Sequence, residues 1–208
     1  NYKCEIIDVL TGFKFIGEQI TKLEEKGEEN RFVFGMEESY GYLGGSYVRD
    51  KDAVIASMLI CEMAAFYKEK GLLLTDVLEG LYKKYGYYFC SQKSFTCEGE
   101  SGMKQIAGIM EALRNNIPKS IADEKVVRAD DYEKSLSFNL ENGEKSKIIL
   151  PISNVLCYIL ADGSSLIVRP SGTEPKIKIY LSAVGKTEKD AEYKRKALEK
   201  SGTELLGF

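Results

Sequence analysis

One run near the C-terminus, Arg169-Pro170-Ser171-Gly172-Thr173-Glu174-Pro175, has the composition of an oxyanion-binding loop. Arg169 offers a planar fork of N–H donors that can grip a phosphate in bidentate fashion. Ser171 and Thr173 add hydroxyl donors, and Gly172 permits a bend that would turn successive backbone N–H groups into one concavity. The two prolines stiffen the ends and lower the entropy lost when the loop is held for a ligand. Lys178 lies two residues beyond Lys176 on the following strand-like run, so the two lysines share a face and Lys178 can supply a further positive charge. The same residue types also make ordinary surface turns, and composition leaves both readings open. The order G-x-x-x-x-G-K-[ST] is absent, so the run is not a nucleotide-binding P-loop.

A second cluster, Glu37-Glu38-Ser39-Tyr40-Gly41-Tyr42, directly follows an apolar, strand-like run. Adjacent carboxylates and a hydroxyl at a strand end are suited to hydrogen-bonding neighbouring sugar hydroxyls, and the tyrosines can pack on a sugar's apolar faces. A solvated acidic turn would read the same way. Lys51, within Arg49-Asp50-Lys51-Asp52, fits an exposed helix start as well as a site. Thr11-Gly12-Phe13-Lys14 by itself says only that a strand turns into a helix.

Composition narrows the chemistry. The 208 residues include no histidine. That excludes Ser-His-Asp and Cys-His catalysis and removes imidazole as base or metal ligand. Proton transfer by this chain falls to carboxylates, lysine or tyrosine. The cysteines Cys4, Cys61, Cys90, Cys97 and Cys157 are odd in number, lack CxxC spacing and sit mostly in apolar runs. They read as thiols of a reducing cytoplasm, not as a disulfide framework or zinc site. The net charge of −3, with Lys and Arg dispersed, gives no basic face for nucleic acid. No apolar run is long enough for a membrane-spanning helix.

The elements that must carry these residues follow an α/β pattern and then an α+β one. Glu5–Leu10 is expected as a strand, followed by a helix from Lys14 to Lys26 with Gly27 as its C-cap. Arg31–Phe34 reads as a short strand and residues 35–45 as a loop. Asp50 is expected to cap a helix from Lys51 to Lys70, with Val54, Ile55, Met58, Leu59 and Phe66 on or near one face. Gly71 stops it, and Thr75 caps a further helix through Tyr85. The polar stretch Ser91–Glu100 reads as a domain boundary or hinge. Beyond it, Ser101 caps a helix through Asn115. Strands are then expected over 125–129, 135–140, 155–161, 165–169 and 176–183. Asn142-Gly143 and Asp162-Gly163 are hairpin turns. A charged helix from Thr187 to about Leu198 closes an antiparallel sheet with helices on one face.

RPSGTEPKIKIY (Arg169–Tyr180) resembles the phosphate-binding loop of the last domain of α-D-phosphohexomutases, the phosphoglucomutase/phosphomannomutase family. MEESYGY followed by VRDKD (residues 36–52) resembles the sugar-binding loop of their third domain, and TGFKF (Thr11–Phe15) a third characteristic stretch. The three stand in family order at about family spacing, and with EMAAFYKEKG and LYKKYGYY the likeness covers nearly the whole chain. The Glu-Glu-Ser form looks closer to phosphoglucomutases than to members of the Glu-x-Ser-Gly-His form.

The resemblance implies a third mutase domain, N-terminally truncated, over residues 1–97 and a fourth domain over 98–208. It implies a parent enzyme of four domains that interconverts a sugar 1-phosphate and 6-phosphate through a glucose 1,6-bisphosphate-type intermediate. In such enzymes a phosphoserine near the N-terminal end transfers the phosphoryl group, and Mg²⁺ on a D-x-D-x-D loop assists. Carried over by position, Glu37 and Ser39 bind the sugar's O3 and O4, with Thr11, Gly12 and Lys14 also at the substrate. Arg169, Ser171, Gly172, Thr173 and Lys178 hold the phosphate that is not reacting, and Lys51 neutralises charge or moves a proton. The departures are equally informative. D-x-D-x-D is absent, Asp130-Asp131 being the nearest cluster, and a Ser-His nucleophile cannot exist here. Lys178 replaces a second arginine found in many members. The expected partners are a phosphorylated sugar and the N-terminal domains of the same protein. The competing reading is a free-standing, non-catalytic phosphosugar-binding or interaction module.

Overall fold

The computed structural model describes residues 3–37, 41–99, 101–172 and 174–208. The chain divides into two compact units, Asn1–Glu79 and Gly80–Phe208.

In the first unit, helix α1 (Phe13–Glu24) buries Phe13, Ile16 and Ile20, spaced by three and four residues on one face. With Leu43 they form a small core, against which Val9 and Phe32 pack. The helix closes at Gly27 as expected. The Gly27 N–H reaches Glu24 O and the Glu28 N–H reaches Leu23 O, both at 2.9 Å, the paired bonds of a Schellman ending. After a 3₁₀ turn (Glu29–Arg31), strand β1 (Gly35–Glu37) pairs antiparallel with β2 (Gly41–Leu43). Helix α2 (Ala53–Glu69) and helix α3 (Leu74–Tyr85) follow, α3 running across the division between the units.

Several expectations for this unit are overturned. Residues 5–10 form no strand, because a strand needs a hydrogen-bonded neighbour and none is present among the described residues; Ile6 is 87% exposed. The expected strand at 31–34 begins only at Gly35, and the expected loop 35–45 contains two short antiparallel strands, Gly35–Glu37 and Gly41–Leu43. The α2 cap is Asp52, whose Oδ1 accepts from Val54 N–H at 2.8 Å and Ile55 N–H at 3.1 Å. Asp50 is taken instead by Lys51. Thr75 lies inside α3, and Asp76 accepts the Leu73 N–H at its start. The apolar residues of α2 are not buried among the described residues: Val54, Met58 and Phe66 are half or more exposed.

The second unit is an antiparallel sheet with helices on one face. Its strands are β3 (Tyr87–Thr96), β4 (Ser120–Ile121), β5 (Glu124–Asp131), β6 (Leu136–Asn139), β7 (Lys145–Lys147), β8 (Leu156–Leu160), β9 (Ser165–Pro170) and β10 (Lys176–Gly185). They lie in the order β3-β10-β9-β8-β5-β6-β7, with β4 on β5. Helix α4 (Gly102–Asn115) contributes Ile106, Met110 and Leu113 to the core, and helix α5 (Glu188–Leu205) contributes Leu198. Strand alternation puts Ile177, Ile179, Leu181 and Ala183 of β10 beneath them. Each such fully buried Ile or Leu contributes about 1.5–3 kcal/mol.

The stretch expected as a boundary or hinge is largely β3, paired with the full length of β10. Its residues alternate between half-buried and exposed, which leaves the strand polar enough to resemble a linker. Helix α5 also runs past its expected end. Gly202 is buried there, and a Cβ on it would stand 2.8 Å from Leu166 Cδ1, so the missing side chain lets the helix lie close on the sheet.

Two polar devices lock the unit. At the turn between β8 and β9, Asp162 accepts from Ser164 N–H (2.9 Å), Ser164 Oγ (3.1 Å) and Lys194 Nζ of α5 (2.7 Å). Buried Asp131 accepts from Arg114 Nε of α4 at 3.3 Å and from the Glu133 and Lys134 N–H groups. Cys97 and Cys157 are buried thiols, while Cys61 and Cys90 are exposed.

Candidate functional site

Each unit carries one of the two chemically distinctive loops. In the first, Thr11 is exposed and Gly12 makes the turn into α1 at φ 126°, its carbonyl accepting from Phe15 N–H at 3.0 Å. Glu37 ends β1 opposite Gly41 of β2. The segment 46–52 folds back onto the hairpin through a 2.8 Å bond from Asp52 N–H to Tyr42 O. That return brings Lys51 to Glu37. A Cβ on Gly41 would lie 2.7 Å from Glu37 Cγ and 2.9 Å from Lys51 Cδ, so both side chains occupy the space glycine leaves.

The Lys51 ammonium is 2.9 Å from Asp50 Oδ1 and 5.4 Å from the Phe13 ring centroid. The Asp50 hydrogen bond, more than the nearby Glu37 charge, raises the Lys51 pKa, and the same bond lowers that of Asp50. The group is therefore a firmly protonated donor beside a carboxylate, an arrangement able to hold vicinal hydroxyls by one acceptor and one cationic donor. Lys14 stands on the exposed side of α1 with its ammonium 4.9 Å from the Phe15 ring centroid. Ser39 lies outside the described residues, as do Glu38 and Tyr40.

In the second unit, residues 171–175 connect β9 to β10. The Ser171 N–H donates to Lys176 O at 2.8 Å, closing the loop base, and Ser171 Oγ accepts from Glu174 N–H at 3.3 Å. The Cys97 N–H donates to Pro175 O at 2.9 Å and ties the far end to the residue after β3. Lys176 is neutralised by Glu174, 3.2 Å away. Arg169 and Lys178 are direct register partners across β9 and β10. Their strand neighbours Val168, Ile177 and Ile179 are fully buried, so both cations point to the open face of the sheet. Among the described residues neither has an ion-pair partner. Two neighbouring cations without a carboxylate are a ready receptor for a dianion.

Gly172 lies in a bend without taking the left-handed conformation, and a Cβ on it would meet nothing within 4 Å. The Ser171 hydroxyl helps shape the turn, and Gly172 leaves the backbone open to approach. Thr173 lies outside the described residues.

Sequence reasoning missed three features of the site. Asp50 serves as the partner of Lys51, Phe13 floors the Lys51 ammonium, and Gly41 makes the space in which Glu37 and Lys51 meet. The first was visible as adjacency in Arg-Asp-Lys-Asp; the other two depend on the fold. The carboxylates of Asp130 and Asp131 do not suit a metal. Asp130 accepts from Ser137 Oγ at 2.5 Å and Arg128 Nε at 3.2 Å, and Asp131 is held by Arg114. A cavity of about 410 Å³ along α5 contains none of the site residues, and its lysines Lys93, Lys196 and Lys200 each face a glutamate.

Comparison with known proteins bears on both loops. The family model described as phosphoglucomutase/phosphomannomutase, alpha/beta/alpha domain III, matches residues 1–85. The one described as phosphoglucomutase/phosphomannomutase, C-terminal domain, matches residues 96–200. The chain is similar to a phosphoglucomutase of Staphylococcus epidermidis, with 41% identity over 175 residues, 84% of this chain and 31% of the relative. A Staphylococcus aureus phosphoglucomutase is 42% identical over 178 residues, 86% of this chain and 32% of its own length. The chain thus spans about a third of the length of the curated relatives it matches. Its fold is similar to the open form of Paramecium parafusin, an exocytosis-sensitive phosphoprotein and phosphoglucomutase. The TM-score is 0.64 at 20% identity, covering 94% of this chain and 32% of that one. With its two segments matched in order by two domain models of one family, the chain belongs to the phosphoglucomutase/phosphomannomutase family, as its third and C-terminal domains.

Proposed function

We propose that this chain is the substrate-recognition portion of a cytoplasmic phosphohexomutase that interconverts a sugar 1-phosphate and a sugar 6-phosphate, with glucose as the sugar, through a bisphosphate intermediate. The observation that carries this reading is the Arg169–Lys178 pair, two cations in register at the mouth of a closed loop with no carboxylate opposed to them among the described residues. The naming of the Staphylococcus relatives as phosphoglucomutases supports it.

In this reading the second unit holds the phosphate that is not reacting. The Arg169 fork takes two oxygens, Lys178 adds a point charge, and Ser171, Gly172 and Thr173 supply donors from the loop. The first unit reads the sugar: Glu37 and Ser39 accept from and donate to O3 and O4, with Thr11, Gly12 and Lys14 at the edge. Lys51 stays protonated and steadies the charge of Glu37 and the ligand. Phosphoryl transfer depends on positioning and charge stabilisation, so a firm hold on the remote phosphate orients the reacting one. Mg²⁺, when bound in the parent enzyme, neutralises charge on the transferred phosphoryl group. Among the described residues no cluster of carboxylates fits that ion, and in this reading its site and the phosphoserine belong to the N-terminal domains of the parent.

The test is isomerisation of glucose 1-phosphate to glucose 6-phosphate by this chain alone and by the intact protein, followed by a panel of mannose, glucosamine and pentose phosphates. Turnover by the intact protein only is expected. Activity of the isolated chain would overturn the assignment of the chemistry to other domains. Sugar-phosphate binding by an intact protein that turns over no member of the panel would establish the non-catalytic module instead.

A further inference from the structure

The register of β10 extends the phosphate site across a third strand. Lys178 is paired with Arg169 of β9 on one side and with Ser94 of β3 on the other. Residues paired in antiparallel strands project to the same face. Here that is the open face, because the flanking residues Phe95, Ile177, Ile179 and Val168 are all buried beneath the helices. Strands lie about 4.8 Å apart, so Arg169, Lys178 and Ser94 form a row with Lys178 at its centre. Arg169 and Ser94 are exposed. The neighbouring β3 positions do not share this setting. Thr96 is opposite Lys176, whose charge Glu174 already neutralises, and Gln92 is opposite the uncharged Tyr180. Ser94 is therefore the β3 residue that stands at the level of the two uncompensated cations. Its hydroxyl has no hydrogen-bond partner among the described residues.

We infer that Ser94 is a phosphate-binding residue, donating its hydroxyl to an oxygen of the phosphate held over Lys178. The inference rests on the reading of Arg169 and Lys178 as a phosphate site and extends it to a strand that the recognition motif does not include. A phosphate monoester presents three terminal oxygens. The Arg169 fork and the Lys178 ammonium approach from one side, and Ser94 supplies a neutral donor on the side the cations leave open. Strand β3 is the edge of the sheet, so Ser94 closes the row at its outer end.

The test measures glucose 1-phosphate affinity of the intact protein by titration calorimetry for Ser94→Ala, Ser94→Asp and Ser94→Thr, with Arg169→Ala as reference. Removing one neutral hydrogen bond is expected to weaken binding about three- to tenfold in Ser94→Ala. Ser94→Asp should weaken it more than tenfold, because its carboxylate would pair with Lys178 and repel the dianion. Ser94→Thr keeps the hydroxyl and favours a strand, so it should bind like the wild type. All three should melt within a few degrees of the wild type, since the position is exposed. If Arg169→Ala abolishes binding while Ser94→Ala and Ser94→Asp leave it unchanged, the Ser94 inference is wrong and the phosphate loop stands. If Arg169→Ala leaves affinity unchanged, the phosphate-site reading fails and takes this inference with it. Equal losses in all three Ser94 variants would show that the strand's packing, not its hydroxyl, was disturbed, and would also overturn the inference.

Discussion

Glu37 and Lys51 meet over Gly41, in space that exists only because that residue has no side chain. The two functional groups are far apart in sequence and on different elements, and the hairpin β1–β2 supplies the surface on which they converge. Gly41→Ala would drive a methyl group into both side chains and into the Glu37 carboxylate, 2.8 Å from the new Cβ. Both groups lie on flexible, partly exposed side chains that can swing away, so the change displaces them more than it destabilises the chain. Sugar-phosphate affinity should fall, while urea denaturation should move little. Wild-type affinity would mean that the convergence is incidental.

Arg169 tests the other loop. Arg169→Ala should weaken glucose 1-phosphate binding to the intact protein by roughly 2–5 kcal/mol, the usual range for losing a charged hydrogen-bond partner. Arg169→Lys should recover only part of it, because an ammonium is a point charge and not a fork. Calorimetric titration that gave identical affinities for all three proteins would remove the loop from the binding site.

Much of this arrangement was legible in the sequence, and the reasons for the exceptions are physical. The strands β8, β9 and β10 alternate apolar and polar residues, and Asp162-Gly163 between two of them is a strong turn signal, so their pairing could be read directly. Strand β3 could not. Its half-buried side includes Ser91 and Lys93, and Lys93 is accommodated by Thr203 and Glu199 of α5, partners that no local pattern announces. Asp50 and Asp52 are equivalent as helix caps by type. What decided between them was Lys51 engaging one and Tyr47 Oη donating to the other at 2.7 Å. Residues 5–10 carry a strand's composition without a strand's partner. At the sites, Arg169 and Ser171 were visible as a motif, whereas Ser94 reaches Lys178 only through a pairing of strands distant in sequence.

The Asp162 clamp predicts a pH dependence. Burial opposes the charged carboxylate, but the Lys194 ammonium and the two Ser164 donors outweigh it, so its pKa lies below the usual carboxylate value. A group depressed in the folded state adds stability above its unfolded pKa, about 3.9 for Asp, and that stability is lost as pH falls through the folded value. Lys194 is raised, chiefly by the bond to Asp162, and its share disappears only on the alkaline side. Asp162→Asn should therefore destabilise the chain by about 1–2 kcal/mol at neutral pH. The difference from wild type should shrink below about pH 4. Thermal melts at a series of pH values would show this, and a gap that persists into strong acid would exclude the clamp as its source.

Thiol chemistry separates the cysteines. The Cys157 thiol is pushed up to about 12, first by burial and then by the neighbouring Asp130 charge. Since the thiolate is the nucleophile, iodoacetamide at mildly alkaline pH should modify exposed Cys61 and Cys90 and leave Cys157 intact until the chain is denatured. Peptide mass mapping of the native protein checks it. Early labelling of Cys157 would mean that β8 opens under native conditions.

Strand β10 is bonded on both sides, to β3 along its whole length and to β9 over residues 177–182, while its alternate residues are fully buried. Amides held that way exchange with solvent only when a large part of the fold opens. The loop that carries Ser171 and Gly172 is thus sprung from a beam whose amides should exchange slowly, and Lys178 is built into the beam itself. A ligand pulling on this site would load the whole sheet before it could bend the anchor, and the price of that stiffness is that the receptor can be repositioned only as a rigid piece.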